Sequence, residues 1–570
     1  MTRLVSFTLG FTLLAACSSG DDGPEPIRDG GVRDGGVVRD GGPRDGGYVE
    51  PDICDELGLA RVPFTAQGTG YAFGDIAGDF SVTTLAGSWV FSQEWTGCES
   101  YTFLNYLPDQ ATTFEEELWG SDPSVFVDTP LNAHFFFLVT LGQETARVEQ
   151  LEVVKTQIDA AIAASTMDDE ERDKQQRRFH YVTDPPVRIA GSVSELIQDY
   201  NSYRADRDNY ADLGNRGFAP PPAAHVFAID RDQRWDSGGN LNQTVGSPPS
   251  FQMASFLPGF FDHKAAIRDR VASESGVETY VLVDETVTER ELIRDAMLPT
   301  GAAMASYDTL EVDVTVTCRE RNVFDCSEWD RIAHIFVCAD ETCADREELV
   351  RWITPYWRRG QRRWIMDASS LMGLVADGGQ TYFQVVMGPT WERATPRDVR
   401  VAVRLSNQGA GERATGAALA FTGGTFGPDY NTRDPFSFTP PATASRAELV
   451  VVLSGHGQEA GNNCAEWCDH RHRFSVGGTA LQEIRHEGQI GSRDGCGPAS
   501  SRGVPPGQYG NWAPERAYWC PGLPVDPIRI DITNEVTFGS ANTITYEGAF
   551  RTGSPAGGNI SLSAYVVWYE

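Results

Sequence analysis

Leu310-Glu311-Val312-Asp313-Val314-Thr315-Val316 alternates apolar and polar side chains at every step. Successive side chains of a strand leave opposite faces, so Leu310, Val312, Val314 and Val316 line one face and the carboxylates the other. That is a half-buried strand in a sheet with one face on a core. The same reading extends outward from it. Residues 280–283, 332–337, 383–387, 399–405, 448–453, 528–532 and 560–568 alternate or form short apolar runs, separated by Gly, Pro, Asn and Asp turns. From about Val277 to Glu570 the composition predicts β-sandwich architecture with few helices. A glycine-rich stretch at 407–416 divides it into residues 277–406 and 407–570.

Upstream, residues 52–276 read as mixed α and β. Residues 82–85 and 89–91 form a hairpin, and 134–139, a continuous apolar run, form a buried strand. Val148, Leu151, Val154, Ile158 and Ile162 recur at helical spacing, which predicts a helix over 144–179 with an acidic break near Asp168. A second helix is expected over 192–213, capped by Ser192 with Glu195 completing a capping box. Residues 225–232 are a strand running into a turn. This order resembles the thioredoxin-like fold of extracytoplasmic redox families. The matching features are Gly74-Asp75 with Phe80, Trp95-Thr96-Gly97-Cys98 at a strand-to-helix junction, Pro222 before a strand, and Ile229-Asp230-Arg231-Asp232. The redox enzymes of those families carry two cysteines with two residues between them. Here Cys98 stands alone, so the domain is read as structural or binding.

The N-terminus has a charged start, an apolar run from Leu4 to Ala16, and then Cys17. The run is too short to span a membrane as a helix. Leu14-Ala15-Ala16-Cys17 resembles a bacterial lipobox, which implies a signal peptide over 1–17, a lipidated Cys17 and an extracytoplasmic, outer-membrane or surface location. Residues 18–51 repeat Arg-Asp-Gly-Gly and have almost nothing to bury, so they read as a disordered tether. Eleven cysteines less Cys17 leave an even set of ten. Spacing suggests Cys318 with Cys326, Cys338 with Cys343, Cys464 with Cys468 and Cys496 with Cys520. Cys54 and Cys98 are left to pair, and other connectivities remain open. No Cys-x-x-Cys occurs, which speaks against zinc. A formal net charge of -33 excludes a nucleic-acid binder or an anionic-membrane surface binder.

Three constellations carry candidate chemistry. In Trp329-Asp330-Arg331 a carboxylate lies between an aromatic plate and a cation that would favour its ionised form. Residues 351–357 are aromatic-rich around Pro355. In Cys464-Ala465-Glu466-Trp467-Cys468 a cystine would hold a carboxylate in few conformations, as a positioned functional acid requires.

These motifs resemble the peptide-N-glycosidase F family. The resemblance rests on residues 326–331, 353–357, Thr390-Trp391, 464–468, 510–516 and 519–522, and covers about half the chain. It implies two side-by-side jelly-roll sandwiches with a site along their interface, and hydrolysis of the amide C–N bond of a glycosylated asparagine. It further implies Asp330 as primary catalytic carboxylate and Glu466 as the second. Arg331 and Arg516 would fix charge, and Trp329, Trp391 and Trp467 would offer faces to sugar rings. N-glycosylated proteins or peptides would be the partners, with no nucleic acid, no cofactor and a monomeric state. The chain departs from the family at Pro389, where an acid is expected before Thr390-Trp391, and at Ser327. That departure raises the alternative of a glycan-binding or adhesion protein without catalysis. The same double sandwich resembles copper-dependent peptidylglycine monooxygenases, which use histidines in both halves and a methionine. Residues 277–406 hold His334 alone and no methionine follows Met387, so copper is set aside. His470-Arg471-His472 is read as a solvated strand face.

Overall fold

A computed structural model describes residues 52–570 except 72, 108–111, 206–224, 238, 245, 319–328, 357–359, 392–395, 458–463, 487–489, 509 and 551–556. The expected signal peptide, Cys17 and the tether lie outside the described residues, as do Pro222, Cys326, Ser327, Glu328 and the end of the helix predicted over 192–213.

The apolar run at 134–139 becomes the strand Ala133–Val139, buried on both faces. Phe135, Phe137 and Val139 enter one core, and Phe136 and Leu138 the other. It is one of five strands ordered Phe179–Tyr181, Ala133–Val139, Ser100–Tyr106, Val226–Ile229, Trp235–Ser237. The first three run parallel and the last two are antiparallel additions. Helices Glu144–Ala164 and Leu257–Ser273 pack on the first core. A three-stranded sheet containing the expected hairpin, together with helix Ser192–Ala205, covers the second.

The break expected near Asp168 divides the helix over 144–179 into Glu144–Ala164 and Asp169–Gln176, and two other local expectations are corrected. The capping box sits at their break, where Asp168 accepts from the Glu171 N–H and Glu171 accepts from the Asp168 N–H. Ser192 is not a cap. Its hydroxyl donates to the Gly78 carbonyl at 2.6 Å, and Glu195 accepts from the Tyr71 hydroxyl at 2.6 Å. Cys98 lies between the short helix Phe91–Glu94 and the strand Ser100–Tyr106, so it is at a helix-to-strand junction. Cys98 is buried and bonded to Cys54.

The C-terminal half forms two sandwiches. In the first, one sheet is ordered Glu291–Leu298, Gly379–Val386, Ile332–Cys338, Arg346–Ile353. Its partner is ordered Gly360–Asp367, Thr309–Cys318, Arg397–Ser406, Glu278–Val287. In Thr309–Cys318 the predicted apolar face, Leu310, Val312 and Val314, enters the core between them. In the second sandwich, Ala414–Thr425, Asn559–Tyr569, Arg446–His456 and Ile528–Asp531 face a sheet built on Asn542–Phe550 and His470–Val476. Arg446–His456 is buried along nearly its whole length. Leu449 and Val451 point into the second sandwich, while Val450 joins the core of the first. One sheet is thus shared as a wall, which explains why residues 449–453 are continuously apolar rather than alternating. His470 and His472 also point inward and are fully buried, so this strand face is not solvated.

A buried polar network crosses the wall. Glu348 accepts two hydrogen bonds from Arg351, at 2.8 and 2.6 Å, and one from Ser563 at 2.6 Å. The His334 ring bonds the same carboxylate at 2.6 Å, and Arg351 donates to Ser454 and to the Ser561 carbonyl. Burial alone would raise the Glu348 pKa, but Arg351 and His334 outweigh it and hold it well below the usual carboxylate range. Its stabilisation is therefore present above the ordinary value of 4.5 and is lost as pH falls through the folded value. Glu348→Gln strands a buried guanidinium and should destabilise the chain by about 3–5 kcal/mol at pH 7, and by less at pH 3, where the unfolded chain binds the proton that the folded chain still excludes. Urea denaturation at the two pH values checks this.

The α/β domain and both sandwiches form a single compact unit, Pro51–Glu570. Among the described residues no helix is long and apolar enough to cross a membrane.

Candidate functional site

Asp330 follows the edge of the first sandwich, just before the strand Ile332–Cys338. The Arg331 N–H donates to the Thr354 hydroxyl at 2.8 Å and the Thr354 N–H to the Arg331 carbonyl at 2.8 Å, which ties the acid to the end of the neighbouring strand. Glu466 sits on the single helical turn Cys464–Trp467, laid against the strand Arg446–His456. Gly455 permits that approach, since an added Cβ would lie 1.8 Å from the Ala465 carbonyl oxygen.

The cysteines that frame these loops pair largely as spacing suggested. Cys338–Cys343 and Cys496–Cys520 are bonded, as is the leftover pair Cys54–Cys98. Cys318 and Cys468 are each disulfide-bonded. Their expected partners, Cys326 and the Cys464 side chain, lie outside what is described.

Arg516 brings the two acids together. It is fully buried, with Nε donating to Glu466 at 3.1 Å and Nη2 lying 3.6 Å from Asp330 Oδ2. The remaining donors are used on the Pro514 carbonyl at 3.0 Å, the Asn511 carbonyl at 2.5 Å and the Tyr356 hydroxyl at 3.1 Å. The guanidinium lies 4.7 Å from the ring centres of both Trp467 and Trp519. Two apolar plates and a fork of acceptors therefore leave it one position. Burial alone would lower its pKa, but Tyr356, Asp330 and Glu466 outweigh that and it stays charged.

The two acids differ in environment. Glu466 accepts from Arg516 and from the Gly457 N–H at 3.1 Å. Asp330 is pushed up to about 7, chiefly by burial. Arg516 opposes that shift, Glu466 adds to it, and the Tyr356 hydroxyl and Arg331 oppose it more weakly. The expectation that Arg331 would keep Asp330 ionised is thus corrected. The Arg331 guanidinium lies 4.9 Å from the Trp391 ring centre, and its charge is the smallest of these influences. A carboxyl with a midpoint near neutrality, mostly buried yet still 11% exposed, is suited to proton transfer.

Trp329 and Trp391 are 41% and 75% exposed and form an aromatic rim. Trp467 is half-buried beneath Arg516 and presents no comparable free face. A cavity of about 530 Å³ opens elsewhere, between residues 482–486, 518–524 and 528–530. It includes Glu515 and Trp519, but neither Asp330 nor Glu466 lines it.

Sequence reasoning missed three supports. The first is Tyr356, in the aromatic-rich stretch 351–357, whose hydroxyl touches both Asp330 and Arg516. Gln508 is fully buried, accepts from the Tyr356 N–H at 2.8 Å and donates to the Pro505 and Pro521 carbonyls, each at 2.9 Å. A lone glutamine carries no pattern that could have revealed this. The third support is the buried pair of histidines. His470 Nε2 bonds the Ala465 carbonyl beside Glu466 at 2.9 Å, its Nδ1 bonds His472 at 2.8 Å, and His472 bonds the Tyr546 hydroxyl at 2.7 Å. Burial holds His470 down at about 4 and His472 well below its ordinary value, so both stay neutral. His334 and His456 are engaged with Glu348 and Ser454.

Fold and site define a class: an α/β domain joined to two β-sandwiches, with a buried acid–arginine–acid cluster under an aromatic rim where the sandwiches meet. Residues 429–567 match the family described as "Peptide-N-glycosidase F, C terminal". A 289-residue stretch is 28% identical to the peptide-N(4)-(N-acetyl-beta-D-glucosaminyl)asparagine amidase F of Elizabethkingia miricola, covering 47% of this chain and 75% of that protein. This half of the chain is thus similar to the peptide-N-glycosidase F family. Among solved structures, one of a peptide-N(4)-(N-acetyl-beta-D-glucosaminyl)asparagine amidase aligns with TM-score 0.42 and 21% identity, over 52% of this chain and 96% of that one. PNGF-II aligns with TM-score 0.41 and 12% identity, over 53% and 66%.

Proposed function

We propose that this protein is an amidohydrolase that cleaves the bond between an N-linked glycan and its asparagine, converting the residue to aspartate. The observation that carries the reading is the convergence of Asp330 and Glu466, one from each sandwich, on the buried Arg516. The family match and the amidase relative support the same chemistry. In this reading Asp330 takes a proton from the attacking water as the C–O bond forms. It returns that proton to the nitrogen as the C–N bond breaks, which releases a glycosylamine. Glu466, held by Arg516 and the Gly457 N–H, positions the water and the substrate amide. Trp329 and Trp391 offer faces to sugar rings, with Arg331 backing Trp391. The test is incubation with a denatured N-glycoprotein, read by mass spectrometry in H₂¹⁸O. Asparagine should become ¹⁸O-labelled aspartate, and no conversion at high enzyme concentration overturns the reading.

Pro389 favours a second reading, a surface glycan-binding protein without catalysis, because it stands where the family's acid is expected and has no side-chain group to carry that acid's role. Glycan retention on an array with no deglycosylation, unchanged by Asp330→Asn, would select it. If the amidase reading holds, Pro389→Glu should raise kcat/KM several-fold. Progress curves on a glycopeptide check this.

The finer architecture belongs to the same proposal. The sandwiches are read as jelly rolls. Residues 52–276 are read as a thioredoxin-like domain, supported by the parallel strands with antiparallel additions. In such a fold a redox pair would follow the strand Ser100–Tyr106, where the sequence is Leu107-Pro108-Asp109-Gln110-Ala111 without cysteine. This supports a structural role. The N-terminal motif supports a lipid-anchored, extracytoplasmic protein, which is read as a monomer, and Cys17→Ala should release it from the membrane fraction.

A further inference from the structure

We propose that the N-terminal α/β domain is a brace that positions Arg516, so that the domain is a working part of the site rather than an appendage. The mechanical half of this stands on geometry alone, and its consequence for turnover rests on the amidase reading above.

The brace acts on residues 495–507, the segment just upstream of the Arg516 loop. The helix Leu257–Ser273 lies directly on the 3-10 turn Pro498–Arg502. A Cβ added to Gly259 would already touch Ser500 Oγ and the Ser501 backbone at 3.5–3.6 Å. The Phe256 ring fills the space above Gly497, where an added Cβ would lie 2.4 Å from two ring carbons. The same ring meets Trp512 edge-on, at 6.4 Å between centres. His263 covers Gly503, whose φ of +114° favours glycine, and a Cβ there would be 2.8 Å from Nε2. The Asn240 N–H donates to the Gly507 carbonyl at 2.6 Å.

From this braced segment, covalent and hydrogen-bonded links run to the site. Cys496 is bonded to Cys520, and its N–H donates to the Ala513 carbonyl at 2.8 Å. Gln508 joins Pro505, Pro521 and Tyr356. Asn511 and Pro514, in the same loop, supply two of the carbonyls that hold the Arg516 guanidinium. Trp512, Ala513, Cys520 and Tyr356 belong to the hydrophobic core of the α/β domain itself, alongside Leu257, Phe260 and Phe261. The turn that ends the loop is strained, with Tyr518 at φ 69°, a conformation that needs support from its surroundings. Glu466 and Arg331 are carried by the sandwiches, so a slackened brace should move Arg516 relative to them.

The experiment uses the full chain. Gly497→Ala drives a methyl into the Phe256 ring, and Phe256→Ala in that background makes room for it. Two readouts are taken: kcat and KM on a glycopeptide, and the titration of Asp330 from its carboxyl infrared band against an Asp330→Asn blank, which needs no turnover. With Arg516 displaced, Gly497→Ala should cut kcat about tenfold with KM within about twofold. It should also raise the Asp330 midpoint, and the double variant should recover most of both. Phe256→Ala alone, which removes the ring without adding bulk, should shift both in the same direction but by much less. Val154→Ala, a core truncation in the α/β domain away from the loop, should lower Tm without moving the midpoint. A Gly497→Ala protein with unchanged midpoint, or a Val154→Ala protein that shifts it equally, overturns the brace. If no variant or parent turns over substrate, the amidase reading fails while the infrared titration still decides this proposal.

Discussion

Asp330→Asn should abolish conversion of glycosylated asparagine to aspartate, by about 10³-fold or more, without loss of the fold. The size follows from removing the one group near neutrality that can carry the proton. The stability expectation has a sign. A carboxyl with a folded midpoint near 7, against 3.8 ordinarily, binds a proton in the native state that the unfolded chain has already lost. Stability therefore falls as pH rises from about 4 to about 7, by on the order of 4 kcal/mol. Asparagine cannot ionise, so the variant should be more stable than the parent at pH 8 and indistinguishable from it at pH 4. Thermal melts at both pH values, beside the mass-shift assay, check the pair of expectations. A variant that melts lower at pH 8 would make Asp330 an ordinary structural counter-ion to Arg516. In the parent, kcat/KM should rise with pH through about 7, because the base must be ionised in the free enzyme.

Arg516→Met should be the most damaging single change in the site. The fully buried guanidinium satisfies Glu466, the Tyr356 hydroxyl and two loop carbonyls, all of which would be left with an apolar neighbour. Breaking such a pair costs about 3–5 kcal/mol, because the surviving charge stays buried without compensation. Urea denaturation should show that loss, and activity should vanish with it. Adding Glu466→Gln removes the stranded charge and should restore part of the stability, and the double-mutant cycle reports the coupling. Arg516→Lys should rescue poorly, because a point charge cannot serve acceptors arrayed around a planar fork. Full stability in Arg516→Met would mean that the cluster is solvated rather than buried around Arg516.

The legibility of this chain follows physical range. Alternation at residues 310–316 depends on neighbours two apart, and it placed the strand Thr309–Cys318 with its correct face inward. Helical spacing from Val148 to Ile162 placed Glu144–Ala164 in the same way. Reading failed where local pattern and tertiary surroundings diverge. The charged residues flanking His470 and His472 suggested solvent, but a strand with period two can point both histidines inward, and the Ala465 carbonyl and Tyr546 satisfy them there. Trp329-Asp330-Arg331 suggested a cation beside its acid, yet the Arg331 guanidinium lies against the Trp391 ring. The cation that matters to Asp330 is Arg516, which lies far away in sequence.

Taken alone, the sequence determined the element types, the division into an α/β half and a β half, most of the cysteine pairing, and the residue types from which a site could be drawn. These rest on periodicity, turn chemistry and short-range motifs, which a chain carries along its own length. Only the tertiary structure decided that one sheet is a wall shared by both sandwiches, that burial lifts Asp330 to about 7, and that the α/β domain lies against the Arg516 loop. Each of those depends on which surfaces exclude water from which charges, a property of groups hundreds of residues apart that no local pattern encodes.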